Sequence, residues 1–177
     1  MKQILFSTDD AVTDIFRLEK TVASDFHSFH IRKPNWSRSE LETYVENLPK
    51  TWRDKSVIHH HFDLCNTYSL KGIHLNEKNR REAGVVSQGF KIISTSFHSI
   101  DDLLGDHSKY EYVFLSPVFD SISKAGYRSA FSTEELRRVN KLSKHRIIAL
   151  GGIKPELKDA CKSMGFSGVA LLGAFWY

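Results

Sequence analysis

Short β-rich runs alternate with helical patterns along almost the whole chain of 177 residues. Eight runs are candidate strands: Ile4–Thr8, Ser28–Lys33, Ser56–His61, Gly72–Asn76, Lys91–Phe97, Tyr112–Ser116, Arg146–Leu150 and Gly168–Gly173. Five stretches between them are predicted helices: Asp14–Ala23, Arg38–Val45, Asp101–Leu104, Thr133–Leu142 and Pro155–Met164. Two further segments, Phe62–Leu70 and Glu77–Ser87, fit either short helices or loops. Repeated strand–helix–strand order predicts parallel βαβ units in an α/β fold.

Two architectures have this order, an open doubly wound sheet and a closed (β/α)₈ TIM barrel. Eight candidate strands favour the barrel, in a compact form, because such barrels typically have ~250 residues. The sequence ends soon after the eighth strand, so we expect one domain over residues 1–177 that lacks its last helix. The apolar end, Phe175 to Tyr177, would then cover the barrel wall or meet a second copy, which leaves a homodimer open.

The composition, with 41% hydrophobic and 26% charged residues, is typical of one soluble globular domain. Lys and Arg exceed Asp and Glu by only 25 to 21, and they are scattered, so nucleic-acid binding is not indicated. The same excess suits a small anionic ligand. The absence of CxxC spacing, of a signal peptide and of any apolar run near ~20 residues favours the cytoplasm.

Two pairs of small residues follow the last two candidate strands. Gly151 and Gly152 come after the seventh, and Gly173 and Ala174 after the eighth. In TIM barrels the site lies at the carboxyl ends of the strands, and the loops after these two strands frequently bind phosphate. Small residues let backbone N–H groups approach an anion. The pairs therefore predict a phosphate site, and the alternative is that the glycines only form a tight turn.

A long polar loop follows the sixth candidate strand and carries Ser121, Ser123 and Lys124. Two hydroxyl donors and one positive charge can hold a phosphate or a carboxylate, although the loop could also be ordinary solvated surface. Near the end of the second strand, Arg32 would point its guanidinium into the barrel mouth. Its alternative is an ion pair with an acid of a neighbouring helix.

Histidines mark the ends of three other strands. His59 and His61 share one face of the third strand and, with His74 of the fourth, could ligate zinc. Clustered histidines can equally be satisfied core or rim residues. At the end of the fifth strand His98 is a candidate general acid or base, unless it only decorates the turn beside a capping Ser99.

Six segments resemble, in the correct order, motifs of the thiamine phosphate synthase and TenI (thiazole tautomerase) family. They are FHIRKP, KGIHLN, STSFHSIDDL, LSPVFDSISK, IIALGGI and GVALLGA. The resemblance implies a (β/α)₈ barrel acting in thiamine biosynthesis. The synthase joins a pyrimidine methyl diphosphate to a thiazole phosphate and releases diphosphate, with Mg²⁺ holding the diphosphate.

The resemblance also implies roles for individual residues. Arg32 and Ser96 would contact the diphosphate, and the serines and lysine of the sixth loop would hold the diphosphate and the thiazole carboxylate. The thiazole phosphate would be cradled by backbone N–H groups of Gly151, Gly152, Gly173 and Ala174. Catalysis by positioning and charge stabilisation would then depend on Arg32 and Lys124.

The chain departs from the family at the metal. His59 and His60 stand where the synthase carries Asn-Asp, and Asn79 stands where it carries an acid, as the one remaining candidate ligand. Pro34 replaces the second basic residue of the strand-two motif, with Lys33 beside it. A hard cation such as Mg²⁺ prefers oxygen ligands, and histidine replaces them poorly.

Three interpretations follow from these departures. In the first, the chain is a synthase in which His59 and His60, with Arg32 and Lys124, contact the diphosphate directly. In the second, it is a TenI-like tautomerase in which His98 shuttles a proton on the thiazole phosphate carboxylate. In the third, it binds a thiazole phosphate without turnover. The Ser-x-Ser-Lys loop favours the first interpretation and the missing acids favour the second.

Overall fold

The computed structural model of the chain describes residues 1–81, 89–120 and 131–176. Eight parallel strands close into a barrel in sequence order. They are β1 (Lys2–Phe6), β2 (Ser28–Ile31), β3 (Ser56–Ile58), β4 (Gly72–Leu75), β5 (Ile93–Phe97), β6 (Tyr112–Leu115), β7 (Ile147–Ala149) and β8 (Gly168–Leu171). The predicted TIM barrel is therefore confirmed, with each strand inside or within two residues of its predicted range.

Helices follow the strands around the chain. They are α1 (Ala11–Glu19), α2 (Arg38–Asn47), α3 (Lys50–Arg53), α4 (Asp63–Thr67), α5 (Glu77–Arg81), α6 (Ile100–Gly105), α7 (Thr133–Leu142), α8 (Lys158–Ser163) and α9 (Gly173–Trp176). Short 3₁₀ turns span Ala23–Asp25 and Pro155–Leu157. After β8 the described part of the chain continues into the single turn α9.

The chain divides into two compact units. One holds residues 1–3 with 94–177, and the other holds residues 4–93. In the second unit the register pairs Phe29 with Ser56 and His30 with Val57, and Val57 in turn pairs with Gly72. In the first unit β6 joins β5 to β7.

Side-chain caps explain where the longer helices begin. The Asp10 carboxylate accepts from the N–H groups of Val12 at 3.0 Å and Thr13 at 3.2 Å, which starts α1. Ser37 and Glu40 form a capping box at α2, and Ser132 and Glu135 form another at α7. Each box satisfies two backbone donors that the first helical turn would otherwise leave unpaired.

The core combines the buried strands with buried side chains of the helices, among them Leu18, Leu41 and Trp52. Every residue of β2, β4, β6 and β8 is buried, as expected for parallel strands covered on both faces. Trp52 of α3 is buried, and its indole N–H donates to the Leu18 carbonyl at 2.8 Å. Among the helices in the described ranges, none has the length and apolar character that crossing a bilayer requires.

Candidate functional site

A fully buried carboxylate anchors the second unit near the amino end of α1. Asp14 Oδ2 accepts from Lys33 Nζ at 2.9 Å and from the Tyr44 hydroxyl at 2.8 Å. Its Oδ1 accepts from the backbone N–H of Thr8 at 2.9 Å and from the Thr8 hydroxyl at 2.8 Å. The Lys33 ammonium also lies over the rings of Trp36 and Tyr44. Four donors for one carboxylate make this network structural, since it is closed to any ligand.

Lys33 and Arg32 are adjacent in sequence but differ in exposure. Lys33 is buried, so it cannot replace the second basic residue of the strand-two motif, whereas Arg32 is exposed. The Arg32 backbone N–H donates to the Ser7 hydroxyl at 2.9 Å, which fixes the chain just beyond the end of β2. The positive charge of Arg32 contributes to the lowered pKa of both His59 and His74. Arg32 thus remains a candidate anion-binding residue.

Three histidines meet at the carboxyl ends of β2, β3 and β4. His30 Nδ1 lies 3.0 Å from His59 Nε2, and the His59 and His74 rings stack with centroids 4.2 Å apart. The Phe6 ring stacks on His30 at 4.9 Å and meets the edge of His59. One ring nitrogen of each histidine lies within 4.8 Å of those of the other two. We call His30, His59 and His74 the histidine triad.

Burial favours the neutral form of all three triad imidazoles. Burial is the main cause that places the pKa of His30 and of His59 well below its ordinary value. Burial, reinforced by the charge of Arg32 and then of Arg80, lowers the pKa of His74 to about 3. Neutral imidazoles attract a diphosphate weakly, so the expected direct contact between His59 and that anion would be a single hydrogen bond rather than a charge pair.

The histidine cluster in the structure differs in one member from the zinc ligand set expected from the sequence, because it contains His30 and not His61. β3 ends at Ile58, so the two-residue alternation that put His59 and His61 on one face no longer holds beyond it. His61 has a left-handed backbone with φ of 51° and stacks edge-on with His60 outside the triad. His60 Nε2 is buried and has no hydrogen-bond partner within the described part of the chain.

The residues expected at the magnesium position do not suit Mg²⁺. His59 belongs to the triad, and Asn79 lies on α5, where its backbone N–H donates to the Asn76 side chain at 2.9 Å. Within residues 1–81, 89–120 and 131–176, no carboxylate belongs to a cluster of three ligands. Mg²⁺ demands octahedral oxygen coordination, which two histidines and one amide do not supply.

The first unit contains the glycine turn after β7. Gly151 and Gly152 both have positive φ, 92° and 65°. A Cβ on Gly151 would lie 2.9 Å from Pro117 Cα, and one on Gly152 would lie 2.3 Å from the Asp120 carbonyl oxygen. Both glycines are therefore required by the turn and by the close approach of the loop after β6. The glycines therefore form a tight turn, and the phosphate site predicted beside them stays a prediction.

That loop and turn are joined by backbone hydrogen bonds. The N–H groups of Val118 and Phe119 donate to the carbonyls of Leu150 and Gly151 at 3.0 and 3.1 Å. No acceptor among the described residues takes the N–H of Gly151 or Gly152. An open cleft of roughly 410 Å³ adjoins them, lined by Phe119, Asp120, Gly152, Lys154, Glu156 and Leu157. The cleft thus lies beside the glycine turn and is lined by one basic residue, Lys154, which sequence reasoning missed, and by two acids, Asp120 and Glu156.

The other expected site residues are placed as follows. Ser96 is partly buried on β5, and the exposed His98 directs Nδ1 to the Ser116 carbonyl at 2.9 Å. Gly173 and Ala174 open the single turn α9. Ser121, Ser123 and Lys124 lie outside the described residues.

The missed member of the triad carries a detectable signal. The alternation of β2 places His30 between two apolar residues, Phe29 and Ile31, on the opposite face. Parallel strands adjacent in sequence order bring residues at equal depth together. Adding His30 to the histidines after β3 and on β4 is therefore enough to identify the cluster by sequence alone.

Comparisons with known proteins, by sequence and by structure, point to one protein family. The family model for thiamine monophosphate synthase matches residues 4–175. A thiamine-phosphate synthase of Limosilactobacillus reuteri is 22% identical over 93% of this chain and 81% of its own length. The one from Chlamydia caviae is 28% identical over 63% of this chain and 54% of its own length. Thus the first of these alignments spans most of the relative, and the second about half.

Solved structures agree in fold. The crystal structure of thiamine phosphate pyrophosphorylase from Bacteroides thetaiotaomicron covers 99% of this chain and 85% of its own, with 29% identity and a TM-score of 0.76. The thiamine phosphate pyrophosphorylase from Pyrococcus furiosus has a TM-score of 0.81 at 17% identity, with 99% and 87% covered, and so supports the fold alone. A family match over nearly the whole chain, together with this barrel, shows that the chain belongs to the thiamine monophosphate synthase family.

Proposed function

We propose that the chain catalyses the thiamine-phosphate synthase reaction. In it, a pyrimidine methyl diphosphate loses diphosphate, and a thiazole phosphate takes the place of the leaving group. The observation that carries the proposal is the family match from residue 4 to residue 175. The relatives and the structure of 29% identity reported above carry the name of that enzyme or of the pyrophosphorylase.

The glycine turn is the proposed site for the thiazole phosphate. Its support is the pair of N–H groups of Gly151 and Gly152, which have no acceptor among the described residues, beside an open cleft. Lys154 at the cleft wall would add a positive charge to these donors. In the family pattern, Gly173 and Ala174 supply further N–H groups.

Arg32 is the proposed partner of the diphosphate. Its exposed guanidinium, just beyond β2, presents several donors that match phosphate oxygens bidentately. The leaving diphosphate gains negative charge as its bond breaks, so a fixed cation stabilises the transition state more than the bound substrate. Ser96, Ser121, Ser123 and Lys124 stay predictions from the family pattern for the same anion and the thiazole carboxylate.

Mg²⁺ has no part in this proposal. The family pattern implies Mg²⁺ at the diphosphate, but His59, His60 and Asn79 do not offer the oxygen ligands that this ion needs. We therefore propose that side-chain cations hold the diphosphate in this chain. His60, whose pKa burial lowers, would contribute a hydrogen bond rather than a charge.

The isomerase alternative rests on His98, whose ring is exposed and oriented by the Ser116 carbonyl. The reported relatives are named for the transferase reaction, which favours that reaction over tautomerisation.

Location in the cytoplasm is proposed as well, and it is supported by two buried cysteines that are free thiols. A homodimer stays a prediction.

The test is an assay with both substrates that scores thiamine phosphate and thiazole isomer interconversion separately. We expect thiamine phosphate from the unmodified chain, with or without added Mg²⁺. Arg32→Gln should lower kcat/KM about 10- to 100-fold, the effect of losing one charged hydrogen bond. Arg138→Gln is the matched control, because Arg138 is an exposed arginine of α7.

Other outcomes would contradict the proposal. Isomer interconversion without thiamine phosphate, abolished in His98→Ala, would make the chain a tautomerase. Strict dependence on Mg²⁺ would contradict anion binding by side-chain cations alone. No turnover of either kind, with thiazole phosphate still bound, would leave a binding barrel.

A further inference from the structure

We propose that the histidine triad, His30, His59 and His74, binds one divalent transition-metal ion of the Zn²⁺ type at the carboxyl ends of β2, β3 and β4. One nitrogen of each ring already lies within 4.8 Å of those of the other two. Two of the rings are buried and the third, His59, is partly exposed. His30 lies on β2, His74 lies on β4 and His59 directly follows β3, so three strands that are neighbours in the barrel position the rings.

Zinc binding would require only small movements of the ligand nitrogens. Tetrahedral zinc with nitrogen ligands at about 2.0–2.1 Å requires ligand atoms about 3.3 Å apart. His30 Nδ1 and His59 Nε2 are 3.0 Å apart, so this pair must open slightly. The remaining pairs lie within 4.8 Å and would close by at most about 1.5 Å. Side-chain rotation at the ends of fixed strands can supply that movement.

The chemistry of the triad selects the class of ion that it would bind. The Phe6 ring stacks on the His30 ring and contacts the His59 ring edge to face. A neutral imidazole has one donor and one acceptor nitrogen, and the acceptor is the atom that binds a metal. Nitrogen-only ligands select Zn²⁺ and its neighbours in the first transition series over Mg²⁺ or Ca²⁺. The triad therefore suits a class of ion different from the one that the family pattern implies.

The site would keep an open coordination position. Three protein ligands with a fourth position for water or a ligand are typical of catalytic zinc, whereas structural zinc is closed by four. His59 is the one partly exposed member of the triad, so the fourth ligand would enter from its side. Arg32 is exposed just beyond the end of β2, the strand that carries His30, and its positive charge favours an anionic fourth ligand such as a phosphate oxygen. The metal site would exist whether or not the chain catalyses the synthase reaction.

The experiment is a metal titration of the full chain prepared without a polyhistidine tag and stripped with a chelator. Calorimetry with Zn²⁺ should give one site per chain, and Zn²⁺ should raise the melting temperature because it binds the folded state. Bound Co²⁺ should give the strong visible absorption of tetrahedral coordination. Inorganic phosphate should change that spectrum by taking the fourth position, and Arg32→Gln should weaken this response.

The variants decide whether the triad is the site. His59→Gln and His74→Gln should each weaken Zn²⁺ binding at least about tenfold, since outer-shell changes alone cost 10- to 100-fold. His61→Gln is the matched control, because His61 adjoins the triad in sequence but lies outside it. Far-UV circular dichroism checks the fold. If His74→Gln does not fold, His59→Gln carries the test, since His59 is the partly exposed member.

Three results would overturn the proposal. One is no heat and no visible absorption with Zn²⁺ or Co²⁺ at millimolar concentration. Another is stoichiometric binding that survives both His59→Gln and His74→Gln. The last is an equal loss of affinity in His61→Gln, which would place the ion outside the triad.

Discussion

Lys33 Nζ lies 2.9 Å from Asp14 Oδ2, and both side chains are fully buried. The Asp14 carboxylate joins three parts of the second unit: α1, which carries it, the segment after β2, and α2 through Tyr44. Proximity to this carboxylate and, above all, burial raise the pKa of the Tyr44 hydroxyl well above its ordinary value, so it stays a donor. Such a network is stable only while every partner is present.

Lys33→Met is expected to destabilise the fold by about 3–5 kcal/mol, because it leaves a buried carboxylate without its cation. Lys50→Met is the matched control, because its ion pair with Asp54 has side chains 82% and 56% exposed. The control should lose no more than about 1 kcal/mol. Urea unfolding of both variants measures the difference, and equal losses would contradict a structural role for the buried pair.

Gly152→Ala is expected to destabilise the chain and to weaken thiazole phosphate binding. The new methyl group would lie 2.3 Å from the Asp120 carbonyl oxygen, at a φ of 65° that alanine rarely adopts. The backbone conformation alone costs about 1–2 kcal/mol, before the neighbouring loop moves.

Gly105→Ala serves as its control, because nothing lies within 4 Å of a Cβ there and the residue ends α6. The changes in melting temperature that the two variants cause, relative to the unmodified chain, should differ in sign or clearly in size. If Gly152→Ala melted at the temperature of the unmodified chain, the turn and the loop after β6 could move apart at little cost in stability.

Lys154→Gln is expected to raise KM for the thiazole phosphate about tenfold with a smaller change in kcat, because a charged hydrogen bond to an anion is lost. Lys154 lines the cleft beside Gly152, whereas the exposed Lys144 does not and provides the control as Lys144→Gln. Steady-state kinetics at varied thiazole phosphate checks both. An unchanged KM in Lys154→Gln would argue against this cleft as the phosphate site.

Cys65 and Cys161 are expected to be inert to a thiol reagent at pH 8 in the folded chain and to react in urea. Burial raises the pKa of each thiol to about 11, so the reactive thiolate is scarce below that pH.

The same raised pKa values predict how stability depends on pH. Above an ordinary pKa near 9 the unfolded thiols lose their protons and the folded ones do not. Stability should therefore fall as the pH rises from 9 toward 11, and less so in a Cys65→Ala, Cys161→Ala double variant. Rapid reaction of either native thiol would contradict this picture.

The sequence predicts elements best where a local signal marks both ends. Helix α7 begins and ends where predicted, because Ser132 and Glu135 form a capping box at its start. The predicted start of helix α1, at Asp14, is three residues late, because the acid that caps it is Asp10. In the sequence Asp14 resembles a first-turn surface acid, and only the tertiary structure shows it paired with a lysine 19 residues away.

The candidate site is less predictable for a physical reason. Alternation locates side chains within a strand, and it fails where the strand stops. Arg32 and Lys33 follow the end of β2, so the sequence alone does not tell which one is buried. The glycine turn is predicted in position, but its close contact with Pro117 depends on pairing between distant segments.

The hydrogen bonds between residues 118–119 and residues 150–151 also limit how this barrel can be rebuilt. Loops of TIM barrels are commonly treated as interchangeable parts, each grafted alone onto its own strand. Here the segment after β6 donates its backbone N–H groups to the turn after β7, and it occupies the space that side chains on the two glycines would need. A transplant between homologous barrels would have to move both segments together as one cassette.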